Sequence, residues 1–190
     1  MMYLFFDTET TGLPRNWKAP VSDLENWPRL VQLAFLVYDG LGRKLHEDSY
    51  IIKPEGWSID PGAARIHGIT ESRALREGVA MQVALGALQA ELDQCDTLVA
   101  HNMAFDEKIV GAEFLRMTRR NPLDGKSRLC TMEVSTPLLK LEGYYGYKWP
   151  KLSELHEYLF GVDFEEAHDA GADIAATARC FWEMRRLGKI

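Results

Sequence analysis

The 190-residue sequence predicts an α/β layer fold, with a central mixed five-stranded sheet of three antiparallel and then two parallel strands, flanked by helices. Three observations predict it. Strand-like apolar runs are concentrated in the first 53 residues. The connection between the second and third runs is too short for a crossover helix. From residue 54 onward, helical periodicity alternates with brief strand runs.

Residues 3–6 form a short hydrophobic run that ends in Asp7-Thr8-Glu9, which reads as a buried strand carrying acids at its carboxyl end. Residues 30–38 are rich in Val, Leu and Phe and stop at Asp39-Gly40-Leu41-Gly42, a hairpin-type turn into a third strand over residues 44–53. Residues 61–67 read as a short helix, and residues 79–92 place apolar side chains at three- and four-residue spacing. Residues 97–100 are the fourth strand, leading through His101-Asn102 into a helix over about residues 104–117. Residues 126–131 are a fifth, edge strand. Beyond residue 132 the pattern is helical, interrupted by a loop at 142–150 with three tyrosines and closed by a helix over 170–187. No linker divides the chain, so residues 1–190 are expected to form one domain.

Asp7 and Glu9 lie two apart on a strand, so both side chains point to the same side. Alone, such a pair is more often a solvated turn. Left unpaired, however, the two carboxylates repel, and ligation of a hard metal removes that cost. Gly12 permits a tight reversal after Thr10 and Thr11, whose amides would then lie near an anionic ligand. Asp106 falls near the start of a helix, where the macrodipole alone would favour an acid. If the first and fourth strands are parallel neighbours, their ends open onto one edge and bring Asp106 toward Asp7 and Glu9. In His168-Asp169-Ala170-Gly171-Ala172-Asp173, Asp169 reads as an N-cap, with His168 on the entering loop and Asp173 in the second turn.

Taken in order, Phe6-Asp7-Thr8-Glu9-Thr10-Thr11-Gly12, then His101-Asn102 with Phe105-Asp106, then His168-Asp169-Ala170 with Asp173, the chain resembles the DEDDh exonucleases of the DnaQ-like family. The resemblance implies an RNase H-like fold, two divalent cations (Mg²⁺ or Mn²⁺), and release of nucleoside 5′-monophosphates from a 3′ end. It implies that Asp7, Glu9, Asp106 and Asp173 are metal ligands and that His168 is the general base. It also points to Thr10, Thr11, Gly12, His67, His101, Asn102 and Phe105 as substrate contacts. The expected substrate is a single-stranded or mismatched DNA 3′ end. RNA trimming by an oligoribonuclease- or RNase T-like enzyme, or a proofreading subunit docked on a DNA polymerase, are the alternatives.

A net charge of −6 argues against a polyanionic partner until the cations are counted, since two divalent ions would offset most of it. The link over residues 13–28 is long and carries Arg15, Trp17, Lys18 and Trp27. It is either a single-strand grip built from charge and stacking or a loop pinned by buried indoles. The run Arg116, Arg119, Arg120, Lys126 and Arg128 is either a phosphate track or a solvated face. Histidines and cysteines lack zinc spacing. Three widely spaced cysteines, and an amino-terminal apolar run too short for a membrane span or signal core, lead to the expectation of a soluble cytoplasmic protein.

Overall fold

The computed structural model describes residues 1–162 and 169–190. Strand β1 (Met2–Thr10) pairs antiparallel with β2 (Leu30–Asp39), which pairs antiparallel with β3 (Lys44–Ile51). Three helices follow: α1 (Pro61–His67), α2 (Glu71–Glu77) and α3 (Met81–Leu92). Strand β4 (Thr97–Ala100) then adds to β1 in parallel and leads into α4 (Met103–Thr118). Strand β5 (Ser127–Cys130) adds in parallel to β4, giving the order β3-β2-β1-β4-β5, the mixed sheet expected from the sequence. Helix α5 (Thr131–Leu139), a small hairpin of β6 (Glu142–Gly143) and β7 (Gly146–Tyr147), α6 (Leu152–Phe160) and α7 (Ala170–Arg186) complete the described elements.

The alternation of β1 decides what each face meets. Tyr3 and Phe5 point toward α7, where Phe181 packs 5.2 Å from the Tyr3 ring and 5.1 Å from the Phe5 ring. Phe5 and Phe181 are fully buried, each worth roughly 1.5–3 kcal/mol in apolar transfer. Thr8 is out of phase with them and meets α4 instead, so α4 and α7 lie against opposite faces. Asp7 and Glu9, in phase with Phe5, therefore share the α7 side.

Strand β1 carries its acids at the carboxyl end, as expected, and its antiparallel ladder with β2 extends as far as the Thr10–Leu30 pair. Three elements differ from the sequence expectation. Helix α2 has no counterpart in the hydrophobic pattern. It is a seven-residue helix started by Thr70, whose side chain accepts from the Arg73 amide at 3.2 Å. The tyrosine-bearing loop contains the β6–β7 hairpin. Val79 joins an isolated bridge with Ile52 rather than opening α3.

Candidate active site

The site forms where β1 outruns β4. Parallel pairing of the two strands ends at Phe5–Val99, whereas β1 continues to Thr10. The edge of β1 beyond that point is open to the start of α4, and Asp106 enters there: its Oδ1 accepts from the Thr8 hydroxyl at 2.7 Å. This is the convergence expected for the ends of neighbouring parallel strands. On the α7 side of the sheet, Asp7, Glu9 and Asp173 bring one carboxylate oxygen each within 4.8 Å of one another. Asp106 stands beside this trio rather than within it, approaching from the α4 face.

Asp173 arrives because Asp169 starts α7. The Asp169 carboxylate accepts from the amides of Gly171 at 2.9 Å and Ala172 at 3.2 Å, a side-chain cap that places Asp173 in the first turn, earlier than the sequence suggested. Gln32 braces this cap from the sheet. Its amide donates to Asp169 at 3.3 Å, and its carbonyl accepts from the Ala170 amide at 3.3 Å. Gln32 sits opposite Glu9 in the β1–β2 register, so one strand position ties the start of α7 to the acidic end of β1. Sequence reasoning overlooked Gln32 and Thr8. The available signal for Gln32 was a lone polar residue inside an apolar strand.

Burial and mutual repulsion dominate the electrostatics. Desolvation, and then the charges of Asp106, Asp173, Glu9 and Asp169, raise the Asp7 carboxyl well above its ordinary range. Glu9 is pushed up to about 8 by burial and by Asp173, Asp106 and Asp169. Asp106 is raised to about 7 by burial, against the hydrogen bonds from Thr8 that favour its charged form. Two unit charges 4.8 Å apart repel by about 3–4 kcal/mol at an effective dielectric near 20. A proton or a cation relieves that cost, and an all-oxygen carboxylate donor set suits a hard divalent ion.

Beside the acids opens a cleft of about 600 Å³ lined by Asp7, Asp173, Leu13, Trp17, His101, Asn102, Phe105 and residues 151–153. Asn102 precedes α4 with φ 72° and ψ 49°, a left-handed conformation uncommon outside glycine, and its side chain makes no cap bond. Trp17 is half exposed and lies 5.6 Å from the Phe105 ring at 41°.

The remaining predicted contacts divide. His101 is in the cleft wall, but both ring nitrogens are engaged: Nε2 donates to the Pro150 carbonyl at 3.0 Å and Nδ1 lies 3.0 Å from the Thr131 hydroxyl. Burial lowers its pKa to about 4, so it stays neutral. His67 is buried, its Nδ1 accepting from the Ile69 amide at 3.1 Å. Thr10 donates its hydroxyl to the Gly12 carbonyl at 2.7 Å, and Gly12 takes φ +154°. The Thr11 amide, expected to face an anion, instead donates to the Arg29 carbonyl at 3.0 Å, because the long link folds back along β1. His168 lies outside the described residues.

Both readings of the long link hold in part. Trp27 is buried and donates to the Pro20 carbonyl at 2.9 Å, whereas Trp17 faces the cleft; Arg15 and Lys18 are exposed and do not line it. The basic run forms no continuous track. Arg116 turns inward to the Leu24 and Trp27 carbonyls, Lys126 reaches the Cys95 carbonyl, and Arg128 pairs with Glu107. All three cysteines are free and buried. Among the described residues, no helix is long and apolar enough to cross a membrane.

No curated protein sequence matched. The fold is similar to E. coli Exonuclease I in complex with a dA16 oligonucleotide, at TM-score 0.76 and 21% identity over 97% of this chain and 41% of that one. It is likewise similar to the dT13 complex (TM-score 0.76, 22% identity, 98% of this chain and 42% of that one). The zinc-bound form of the E. coli ExoI–ssDNA complex matches at TM-score 0.72 and 22% identity, over 97% and 40% of the two chains. The chain thus spans about two-fifths of the length of these similar structures. The Exonuclease (RNase T) family matches residues 4–181. A sheet that gathers acids from both ends of the chain at one open strand edge, together with that match, places the chain in the Exonuclease family, the DnaQ-like 3′-5′ exonucleases of RNase H-like fold.

Proposed function

We propose that residues 1–190 act as one domain, a metal-dependent exonuclease that removes nucleotides from the 3′ end of single-stranded or mismatched DNA and releases nucleoside 5′-monophosphates. The observation that carries this reading is the convergence of Asp7, Glu9 and Asp173 within 4.8 Å, with Asp106 beside them and burial raising the carboxyls of Asp7, Glu9 and Asp106.

Asp7, Glu9, Asp106 and Asp173 hold two divalent cations, Mg²⁺ or Mn²⁺. Bound there, such ions polarise the scissile phosphate and lower the pKa of the attacking water. His168, which directly precedes the Asp169 cap in sequence, accepts the proton of that water. Only a neutral imidazole can accept that proton. Asn102, Phe105 and Trp17 position the terminal nucleotide in the cleft, with the two rings offering a stacking surface. His101 shapes the cleft wall through its bonds to Pro150 and Thr131. The oligonucleotides held by the similar Exonuclease I structures support a DNA strand as substrate. Three free, buried thiols fit a reducing compartment such as the cytoplasm.

The test is digestion of 3′-labelled and 5′-labelled single-stranded DNA, single-stranded RNA and mismatched duplexes with Mg²⁺, with products resolved by size. Labelled mononucleotide should appear at once from the 3′-labelled DNA and only late from the 5′-labelled strand, and chelator should stop both. Internal cleavage products, or full activity in excess chelator, would overturn the assignment. Faster digestion of RNA than of DNA would reassign the substrate while leaving the chemistry intact.

A further inference from the structure

The β6–β7 hairpin exposes more aromatic surface than folding can explain. It is closed at its base by the Lys148 amide donating to the Leu141 carbonyl at 2.9 Å, and its strands pair Glu142 with Tyr147 and Gly143 with Gly146. The two tip residues are Tyr144 and Tyr145, 92% and 97% exposed, with rings in edge contact at 4.7 Å. Turns of this length ordinarily carry Asn, Asp or Gly at the tip, and here Gly146 at φ +119° absorbs the awkward geometry while two large rings stand in water. Tyr147 and Trp149 are also exposed, by 56% and 67%. Rings this bare contribute little buried area to the fold, and a contiguous exposed aromatic patch marks a binding surface.

Its position indicates what binds. From Trp149 the chain passes through Pro150, which accepts from His101 at 3.0 Å, directly into residues 151–153 of the cleft wall. The aromatic arm is therefore continuous with the cleft. Lys140 and Lys151 accompany it, while Lys148 pairs with Glu154. Aromatic rings interleaved with cations suit unpaired bases on a phosphate backbone, because every base has a stacking face and the cations follow the strand.

We propose that Tyr144 and Tyr145 form a stacking platform for unpaired bases of the DNA strand upstream of its 3′-terminal nucleotide. This rests on the exonuclease reading above and adds to it a second contact point, outside the catalytic cleft, that sets affinity for longer strands.

The test compares the wild-type chain with Tyr144→Ser/Tyr145→Ser on two substrates: an oligothymidylate, and the p-nitrophenyl ester of thymidine 5′-monophosphate, which carries the terminal nucleotide alone. The double variant should raise KM for the oligonucleotide at least about 10-fold, in line with the loss of base stacking, while leaving kcat and ester hydrolysis unchanged. Tyr144→Trp/Tyr145→Trp should restore the oligonucleotide KM. An unchanged KM overturns the platform, and if the Ser variant also alters the sedimentation coefficient, the tip serves a protein contact instead. An equal loss on the ester overturns it too, since the tyrosines would then act through the fold. Should the wild type be inert on both substrates, the exonuclease reading fails first. Anisotropy of a labelled oligothymidylate then decides the platform, which requires weaker binding by the Ser variant and falls if the two proteins bind alike.

Discussion

The molecule buries charge in two places and treats it in opposite ways. Around Glu113, whose side chain is 1% exposed, a carboxylate meets cations: Arg29 Nε and Nη2 donate at 2.8 and 3.2 Å, and Arg116 lies 2.9 Å away. The Leu30 amide adds a further bond at 3.1 Å. Arg116 also donates to the Leu24 and Trp27 carbonyls, so this cluster clamps the end of the long link to α4. Around Asp7, which lines the cleft, the charges acting on the carboxyl are four more carboxylates. A compensated cluster can serve architecture. A cluster of like charges is retained at the expense of stability, which points to a ligand that supplies positive charge.

The comparison can be broken most forcefully at Asp7 and Asp173. Asp7→Ala or Asp173→Ala should cut turnover roughly 10³-fold or more by removing a ligand of the ions that stabilise the transition state, while the metal-free protein remains folded. Near-normal kcat in either variant would remove the distinction between the clusters. Glu113→Ala should do the reverse. It should lower stability toward the lower end of about 3–5 kcal/mol, because both arginines are partly exposed, and leave kcat nearly intact. Urea unfolding with parallel kinetics measures both effects. Mg²⁺ at 100 times its dissociation constant should stabilise the wild type by about 2.7 kcal/mol, visible as a rise in Tm, and should do far less for Asp7→Ala. If the ion stabilises both proteins equally, it binds elsewhere.

A further effect lies in the pH dependence of the metal-free protein. Glu9 and Asp106 have folded-state values of about 8 and about 7, above the ordinary carboxylate range of the unfolded chain. A raised folded-state value means that the fold prefers the protonated groups. Their contribution is therefore fully present below the unfolded values and is lost as pH rises through 7 to 8. In chelator, the urea midpoint should be higher at pH 6 than at pH 9, and saturating Mg²⁺ should flatten the difference. A midpoint that rises with pH in chelator would show that the acids are already compensated within the chain.

The residues that carry chemistry were more legible in the sequence than those that support them. Asp7, Glu9, Asp106 and Asp173 stand out because acids adjoin apolar runs and helix starts, and the three motifs come in a recognisable order. Helix α2 was not legible, because it depends on a single capping threonine over seven residues. His101 looked available for substrate, yet its ring is held by Pro150 and Thr131, which lie 49 and 30 residues further along the chain.

Periodicity and turn residues, local properties of the chain, determined the α/β class with its mixed sheet, and the order of three motifs pointed through a family resemblance to the acidic cluster. Tertiary structure alone decided how those acids meet. Three gather on the α7 face, while Asp106 comes from the α4 face through the gap left where β4 stops short of β1, and Gln32 and Glu113 hold the flanking elements in register. The physical reason is range. Dihedral preferences and side-chain alternation act over a few residues, whereas burial, charge repulsion and hydrogen bonding between Thr8 and Asp106, or Gln32 and Asp169, join positions about a hundred residues apart that only the finished sheet brings together.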